Sequence, residues 1–158
     1  MTTPRGPLAK LPGRLGGGKI PGEMTTPRRV AVIAGCRTPF AKAGTVYRDL
    51  TALDLARACV RELIERSEVD PRAVGMVAMG QVIPSVLAPN LGREVALGVG
   101  LPPGVPAHTV NRACASAAQA IADATLAIRH GHCDVAIAGG AESISDVPIL
   151  HSRGMAQK

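Results

Sequence analysis

The sequence is nearly without aromatic residues, and this shortage limits what the protein can bind. Its 158 residues include no Trp, one Tyr and one Phe, so the core must be built from Ala, Val, Leu and Ile. Proteins that bind single-stranded nucleic acids stack bases on aromatic side chains within a basic groove. Six basic residues and one acidic residue lie within 1–29, so five of the six net positive charges belong to this stretch. The rest is nearly neutral, which argues against nucleic-acid binding.

The sequence also lacks the patterns of a metal site, a disulfide framework or a membrane segment. Its four cysteines are widely spaced and form no Cys-x-x-Cys pair; they are Cys36, Cys59, Cys114 and Cys133. No apolar run approaches the roughly 20 residues of a membrane helix, and no signal peptide opens the chain. We therefore expect no bound metal, no membrane insertion and a reducing, cytoplasmic setting.

Residues 1–28 are rich in Pro and Gly, show no helical or strand periodicity, and are predicted to form a disordered basic extension. The domain proper is predicted over residues 29–158. Residues 1–5 recur as residues 24–28, so translation could start at Met1 or at Met24. A mitochondrial transit peptide is the competing interpretation of the basic stretch, but its prolines and its lack of Ser favour the cytoplasm over the mitochondrial matrix.

From Arg29 onwards, strand-like and helix-like patterns alternate. Val30–Ala34 is a continuous apolar run, which is typical of a strand buried on both faces. Three further strands are predicted near residues 74–83, 108–110 and 135–138. Helices are predicted from the Thr51 cap to about Asp70, and over residues 91–97 and 114–128. Strands separated by helices imply parallel crossovers, hence an α/β layered domain with a mostly parallel sheet.

Cys114 is predicted to lie where a strand passes into a helix rich in small residues. The free N–H groups and the positive end of the helix dipole at such a junction favour a thiolate. Small neighbours would let a thioester substrate approach the sulfur. A buried free cysteine can equally be an inert packing residue, so position alone leaves both interpretations open.

Residues 30–40, 80–82 with 90–93, 110–121 and 138–145 resemble, in the same order, four segments of the thiolase family. Residues 110–121 resemble its nucleophile motif, in which the cysteine follows Asn-x-x and precedes a small residue, Ser and another small residue. The others are residues 30–40 with an Arg-Thr-Pro-Phe turn, residues 80–82 with 90–93, and residues 138–145, Ala-Gly-Gly-Ala-Glu-Ser-Ile-Ser. Ala117 and Ala118 depart from the pattern, since a glycine and a larger apolar residue are usual there. The motif is most similar to the fatty-acid-degrading branch, including the β-subunit of trifunctional enzymes.

The resemblance implies a layered α/β fold with helices on both faces of the sheet, as one incomplete half of a two-half enzyme. It implies an acyl-CoA acyltransferase in which Cys114 is the nucleophile and forms an acyl-thioester intermediate, with coenzyme A as substrate. The activating His, a second acid/base Cys and most of the coenzyme A loop would lie beyond Lys158. It also implies a homodimer or homotetramer.

Two alternatives stay open beside this interpretation. One is a non-catalytic fragment or interaction module derived from a thiolase. The other is a ketoacyl synthase-like condensing enzyme, although residues 37–40 and 139–145 favour a thiolase.

The remaining polar residues and thiols are predicted to have structural roles. Cys59 should pack, and Cys36 and Cys133 could line a site but have no base placed beside them. Glu142 is predicted to bond backbone N–H groups in the Gly-Gly turn, and Asn111 and Arg112 to shape the turn or a subunit contact. His130 and His132 should complement a helix C-terminus. His108 and His151 have no partner motif.

Overall fold

The structure is a computed structural model and describes residues 28–149 and 153–156. The helices are α1 (Ala52–Ser67), α2 (Leu91–Gly98), α3 (Ser116–Arg129) and α4 (Arg153–Ala156). The strands are β1 (Val74–Gly80), β2 (Ala107–Val110) and β3 (Val135–Gly140), and a 3₁₀ turn, Pro71–Ala73, leads into β1. The predicted disordered extension lies outside the described residues except for Arg28, and so does His151.

The three strands form a parallel sheet in the order β2-β1-β3. Val77 of β1 pairs with Ala107 of β2, and Ala78 pairs with Ala138 of β3. Helix α2 connects β1 to β2, and α3 carries the chain back across β1 to β3. These two crossovers run in opposite directions along the sheet, so right-handed connections require α2 and α3 to lie on opposite faces. The predicted α/β layered fold with a parallel sheet is confirmed.

Side-chain burial follows the two layers. On one face, Val77 packs with Val60 of α1 and Val95 of α2 in an aliphatic core. On the other face, Ala78 and Ala120 of α3 are fully buried, each 0% exposed. A core without large aromatic rings lets the helices lie close to the sheet, as the composition predicts.

Helix α1 begins where the sequence predicts. The Thr51 hydroxyl accepts a hydrogen bond from the Asp54 backbone N–H at 3.1 Å. The Asp54 carboxylate in turn accepts one from the Thr51 backbone N–H at 3.0 Å. This reciprocal pair satisfies two backbone donors that the first turn would otherwise leave free.

The predicted first strand is wrong. Residues 30–34 are irregular and belong to no strand, and the side chain of Val32 is 89% exposed. Contacts fasten the chain on either side of this segment: Arg28 forms an ion pair with Asp134 at 2.5 Å, and the Gly44 N–H donates to Ser145 at 2.9 Å. An apolar run predicts burial, but a strand also needs pairing with an edge and a layer to cover it. In the described part of the chain, residues 30–34 have neither.

Other boundaries differ by a few residues. Strand β1 ends at Gly80 rather than near Ile83, and α3 begins at Ser116 rather than at Cys114. Helix α4 was not predicted. The shift at α3 matters most, because it places Cys114 in the turn before the helix.

Candidate active site

Cys114 is exposed and lies between the end of β2 and the start of α3. It lines an open groove of about 220 Å³ at the carboxyl ends of β1 and β3. Ligand sites in parallel α/β sheets commonly occupy this edge. Ten residues from three segments line the groove: Gly80, Gln81, Val82, Ala113, Cys114, Ser116, Ala117, Gly140, Ala141 and Glu142.

The turn that presents Cys114 is strained and tightly bonded. Ala113 has φ of 47°, in the left-handed region that a residue with a Cβ rarely adopts. Its N–H donates to the Asn111 side-chain oxygen at 3.0 Å, and its carbonyl accepts from the Ser116 hydroxyl at 2.6 Å. The Ser116 hydroxyl also accepts from the Arg112 N–H at 2.8 Å. Such strain costs of order 1–3 kcal/mol and persists only where surrounding bonds enforce it, so the turn fixes the position of the thiol.

Two glycines let the start of α3 come down onto the strand ends. A methyl group at Gly80 would collide with the backbone nitrogen of Ala117. A methyl group at Gly140 would lie 2.8 Å from the Gly80 carbonyl oxygen and 2.9 Å from the Ala117 Cβ. The glycines thus set the depth of the groove beside Cys114. Ala117, which departs from the family pattern, forms part of this contact.

A polar clamp holds the loop after β1 against the groove. The Glu142 carboxylate accepts hydrogen bonds from the backbone N–H groups of Val82 at 2.8 Å and Ile83 at 3.2 Å. The Asn111 side-chain amide donates to the Val82 carbonyl at 2.9 Å. Glu142 is therefore a structural carboxylate, as expected, but it binds the loop after β1 instead of the Gly-Gly turn. Asn111 shapes the turn, as predicted, and also fastens this loop.

Gln81 is a groove residue that the sequence did not single out. It is 3% exposed, and its side-chain oxygen has no hydrogen-bond partner among the described residues. Its backbone N–H continues the sheet by donating to the Val110 carbonyl at 3.1 Å. Buried polar atoms nearly always have a hydrogen-bond partner, so the unpaired side-chain oxygen of Gln81 beside the groove is unusual.

The other three thiols lie away from the Cys114 groove. Cys36 and Cys59 line a separate, larger cavity of about 500 Å³. Desolvation raises the pKa of Cys59, and the neighbouring Cys36 raises it further. Desolvation, with the Asp134 carboxylate second, raises the pKa of Cys133. A raised pKa leaves less thiolate at neutral pH, so neither Cys59 nor Cys133 has the environment of an activated nucleophile.

No histidine lines the Cys114 groove within the described residues. His108 lies instead 3.6 Å from the Asp123 carboxylate. Asp123 accepts from Gln119 at 2.7 Å, and Gln119 accepts from the Arg112 guanidinium at 2.8 Å. Sequence reasoning missed this set of polar contacts because it did not predict how the turn between β2 and α3 brings His108 and Arg112 to side chains of α3. Arg112 therefore braces the nucleophile turn against α3.

His130 caps the end of α3, and His132 follows it beyond Gly131. Their ring centroids are 6.4 Å apart. Both are exposed, which agrees with the predicted place at a helix C-terminus.

Over residues 28–149 and 153–156, no helix is long and apolar enough to cross a membrane, and no three His, Cys, Asp or Glu side chains cluster as a metal site.

Comparison with known proteins identifies the family. The model of the thiolase N-terminal domain matches residues 30–158. The chain belongs to the thiolase family. The match spans all four segments that carried the resemblance in the sequence.

Characterised thiolases extend well beyond the matched region. The chain is 43% identical over 141 residues to the 3-ketoacyl-CoA thiolase of Aeromonas salmonicida, covering 88% of this chain and 32% of that protein. It is 48% identical over 128 residues to the mitochondrial trifunctional enzyme subunit beta of Homo sapiens, covering 81% and 27%. This chain therefore spans about a third of the length of these relatives.

Solved thiolase structures share the fold. The Bacillus anthracis acetyl-CoA acetyltransferase superposes with a TM-score of 0.74 at 31% identity, covering 78% of this chain and 32% of that chain. The Acat5 thiolase from Ascaris suum, in complex with coenzyme A, gives a TM-score of 0.71 at 28% identity, covering 76% and 32%.

Proposed function

We propose that this chain carries the nucleophile of an acyl-CoA acyltransferase of the thiolase type, with Cys114 accepting the acyl group. The observation that supports this most is the presentation of Cys114. It is an exposed thiol on a strained turn directly before α3, above the carboxyl ends of two parallel strands. A thiol used only for packing would not need a turn that stores strain.

The chemistry follows from a thiolate at this place. The Cys114 sulfur attacks the 3-keto carbonyl carbon of a 3-ketoacyl-CoA, and the bond between C2 and C3 breaks. The shortened acyl group stays on Cys114 as a thioester, and the departing carbanion takes a proton and leaves as acetyl-CoA. A second coenzyme A thiol then attacks the thioester and releases the shortened acyl-CoA and the free cysteine. The reverse sequence is the condensation.

The acyl transfer needs no metal or redox group, because the Cys114 sulfur is the nucleophile when the acyl-enzyme forms and the leaving group when coenzyme A takes the acyl group. We therefore propose coenzyme A and acyl-CoA as substrates and no bound cofactor. The coenzyme A complex of the Ascaris suum relative supports this substrate class. The four cysteines are free in the described structure, which supports a reducing compartment, and we propose the cytoplasm.

We also propose that the protein assembles as a homodimer or homotetramer. Strand β2, which leads into the nucleophile turn, is an edge strand of the sheet. In the described part of the chain no strand pairs with its outer edge, which therefore offers backbone N–H and C=O groups to a second copy. Light scattering of the purified protein measures the assembly, and a monomer at all concentrations would contradict this part of the proposal.

The nucleophile assignment is tested by trapping the acyl-enzyme. In a chimera, residues 30–158 of this chain replace the matching part of the Aeromonas salmonicida thiolase. The chimera is incubated with a 3-ketoacyl-CoA in the absence of free coenzyme A. Mass spectrometry should find the acyl group on the peptide that contains Cys114. The Cys114→Ala chimera should form no adduct, whereas the matched control Cys133→Ala should still form it. An acyl adduct that survives Cys114→Ala would assign the nucleophile elsewhere.

The 158-residue chain offers an independent test. Iodoacetamide at neutral pH should modify Cys114 faster than Cys59 or Cys133. Cys114 is exposed, while burial raises the pKa of both other thiols. Peptide mapping over time measures the four rates separately. Equal rates for Cys114 and Cys59 would count against the proposed role.

A further inference from the structure

The larger cavity, of about 500 Å³, contains a pair of thiols that the acyl transfer does not use. It lies between α1, the end of β3 and residues 36–43. Cys36 enters it from the irregular segment that precedes the Arg-Thr-Pro-Phe turn, and Cys59 enters it from α1. Both side chains are partly buried, and neither forms a disulfide.

The two thiols are direct neighbours. Both side chains line the same cavity, and after desolvation the neighbouring Cys36 is the next cause of the raised pKa of Cys59. Arg66, in the last turn of α1, forms an ion pair with Glu62 and is also close enough to Cys36 to interact with it electrostatically. The cavity thus holds two neighbouring sulfurs beside one basic side chain.

The segment that carries Cys36 is loosely held. In the part of the chain that the structure describes, no backbone–backbone hydrogen bond ties residues 29–43 to the rest of the protein. A disulfide requires Cβ atoms about 4 Å apart and a specific dihedral angle. Cys59 is fixed on a regular helix, whereas the Cys36 segment can adjust by small backbone movements to meet that requirement.

We propose that Cys36 and Cys59 form a reversible intramolecular disulfide when the protein meets hydrogen peroxide, and that this bond ties the Cys36 segment to α1. The proposal does not depend on the role of Cys114. It assigns an oxidative modification site to a cavity separate from the Cys114 groove. The two regions meet at Gly140, Ala141 and Glu142, which line both.

The reaction balances with peroxide as the only co-reactant. The Cys36 thiolate attacks one peroxide oxygen and the O–O bond breaks. This gives Cys36 sulfenic acid and hydroxide, and the hydroxide takes up the proton that the Cys36 thiol released. The Cys59 sulfur then attacks the Cys36 sulfur, the S–O bond breaks, and the departing hydroxide takes up the Cys59 proton. Two thiols are oxidised to a disulfide, and peroxide is reduced to two water molecules.

Peptide mapping of the 158-residue chain tests the proposal directly. The purified protein is treated with hydrogen peroxide, its free thiols are blocked with N-ethylmaleimide, and it is digested with trypsin without reductant. The four cysteines fall in four different tryptic peptides, so each possible pairing has its own mass. We expect residues 30–37 joined to residues 58–61, with two hydrogen atoms fewer than the separate peptides. Dithiothreitol should separate them again.

Matched variants identify the two sulfurs that form the disulfide, and denaturant tests whether the pairing requires the folded structure. Cys36→Ser and Cys59→Ser should each abolish the joined peptide, whereas Cys133→Ser should retain it. In denaturant the preference for this pair should disappear. The proposal fails if both peptides keep free thiols at a peroxide dose that oxidises Cys114. It also fails if Cys59 pairs as readily with Cys114 or Cys133, or if non-reducing gels show that the joined peptides come from two copies of the chain.

Discussion

The Glu142 carboxylate accepts a 2.8 Å hydrogen bond from the backbone N–H of Val82, which lies 60 residues earlier in the sequence. Together with the bond from Ile83 it joins the end of β3 to the loop that follows β1. Glu142 and Val82 both line the groove of Cys114. The carboxylate therefore helps to hold the wall of the candidate active site.

Replacing Glu142 with Ala should loosen this wall. Hydrogen bonds to a charged acceptor contribute about 1.5–3 kcal/mol, so we expect amide exchange at Val82 and Ile83 to become at least about tenfold faster, since a factor of ten corresponds to about 1.4 kcal/mol. Hydrogen exchange read by NMR measures the two amides. Glu142→Gln keeps an acceptor oxygen and is the control; it should exchange more slowly than Glu142→Ala. Unchanged exchange in Glu142→Ala would mean that the loop is held by other contacts.

Gly80 offers a test of the packing beneath Cys114. Because a methyl group at this position would strike the Ala117 backbone, Gly80→Ala must displace α3 or the strand end. Overpacking of this kind typically destabilises by about 1–3 kcal/mol. Urea denaturation measures the loss, with Gly139→Ala as the matched control, since a methyl group at Gly139 meets nothing within 4 Å. Equal stabilities of the two variants would show that the helix end is less closely seated than the structure indicates.

The parts of the fold that local patterns determine were predictable from the sequence. The cap at Thr51, the helical face of α1 and the strand into the nucleophile turn each follow from residue types at short spacing. The strand assigned to residues 30–34 failed because pairing depends on a partner that the run itself does not specify. Apolar residues predict that a segment is buried, but they do not specify which strand edge or which layer of helices buries it.

The candidate site also has features that the sequence predicts and features that it does not. Cys114 was found because its motif is continuous and lies at a strand-to-helix junction. The left-handed conformation of Ala113 was not foreseen, since an alanine gives no local sign that it will adopt positive φ. The clamp by Glu142 and the contact of His108 with Asp123 join residues far apart in sequence. Tertiary contacts of this kind cannot be read from spacing.

The cap of α1 should make stability depend on pH in a defined direction. The Thr51 hydroxyl, followed by the Thr51 backbone N–H, holds the pKa of Asp54 below its ordinary value. A carboxyl group whose folded pKa is lowered contributes stability above its unfolded pKa of about 4, and this is lost as pH falls through the folded value. The stability difference between the native chain and Asp54→Asn should therefore be larger at about pH 6 than at about pH 2.

Thermal or urea unfolding at both pH values measures this difference. In a Thr51→Ala background, the same Asp54→Asn change should lose most of its pH dependence, because the carboxylate no longer has its main partner. Thr51→Ala itself should cost about 0.5–2 kcal/mol at neutral pH, as for other helix caps. A pH-independent effect of Asp54→Asn in the native background would contradict the reciprocal cap.

Residues 1–158 alone should cleave a 3-ketoacyl-CoA far more slowly than a complete thiolase, although they carry Cys114. Cleavage requires a base that activates the thiol and an acid that protonates the leaving carbanion. A correctly placed acid or base is typically worth about 10²–10⁴ in rate. No histidine lines the Cys114 groove in the described residues, and the His108 imidazole is paired instead with Asp123 at 3.6 Å.

The assay measures acetoacetyl-CoA cleavage by the purified 158-residue chain, beside the Aeromonas salmonicida thiolase at equal concentration. The Cys114→Ala variant provides the background, since any turnover it retains cannot pass through this cysteine. Because both an acid and a base must be positioned, we expect the rate to fall by more than the factor that one such group contributes. A rate reduced by less than about tenfold relative to the Aeromonas salmonicida enzyme would be a smaller loss than one missing acid or base causes. It would show that these residues already hold a complete acid–base site, with its proton carriers among side chains assigned here to structural roles.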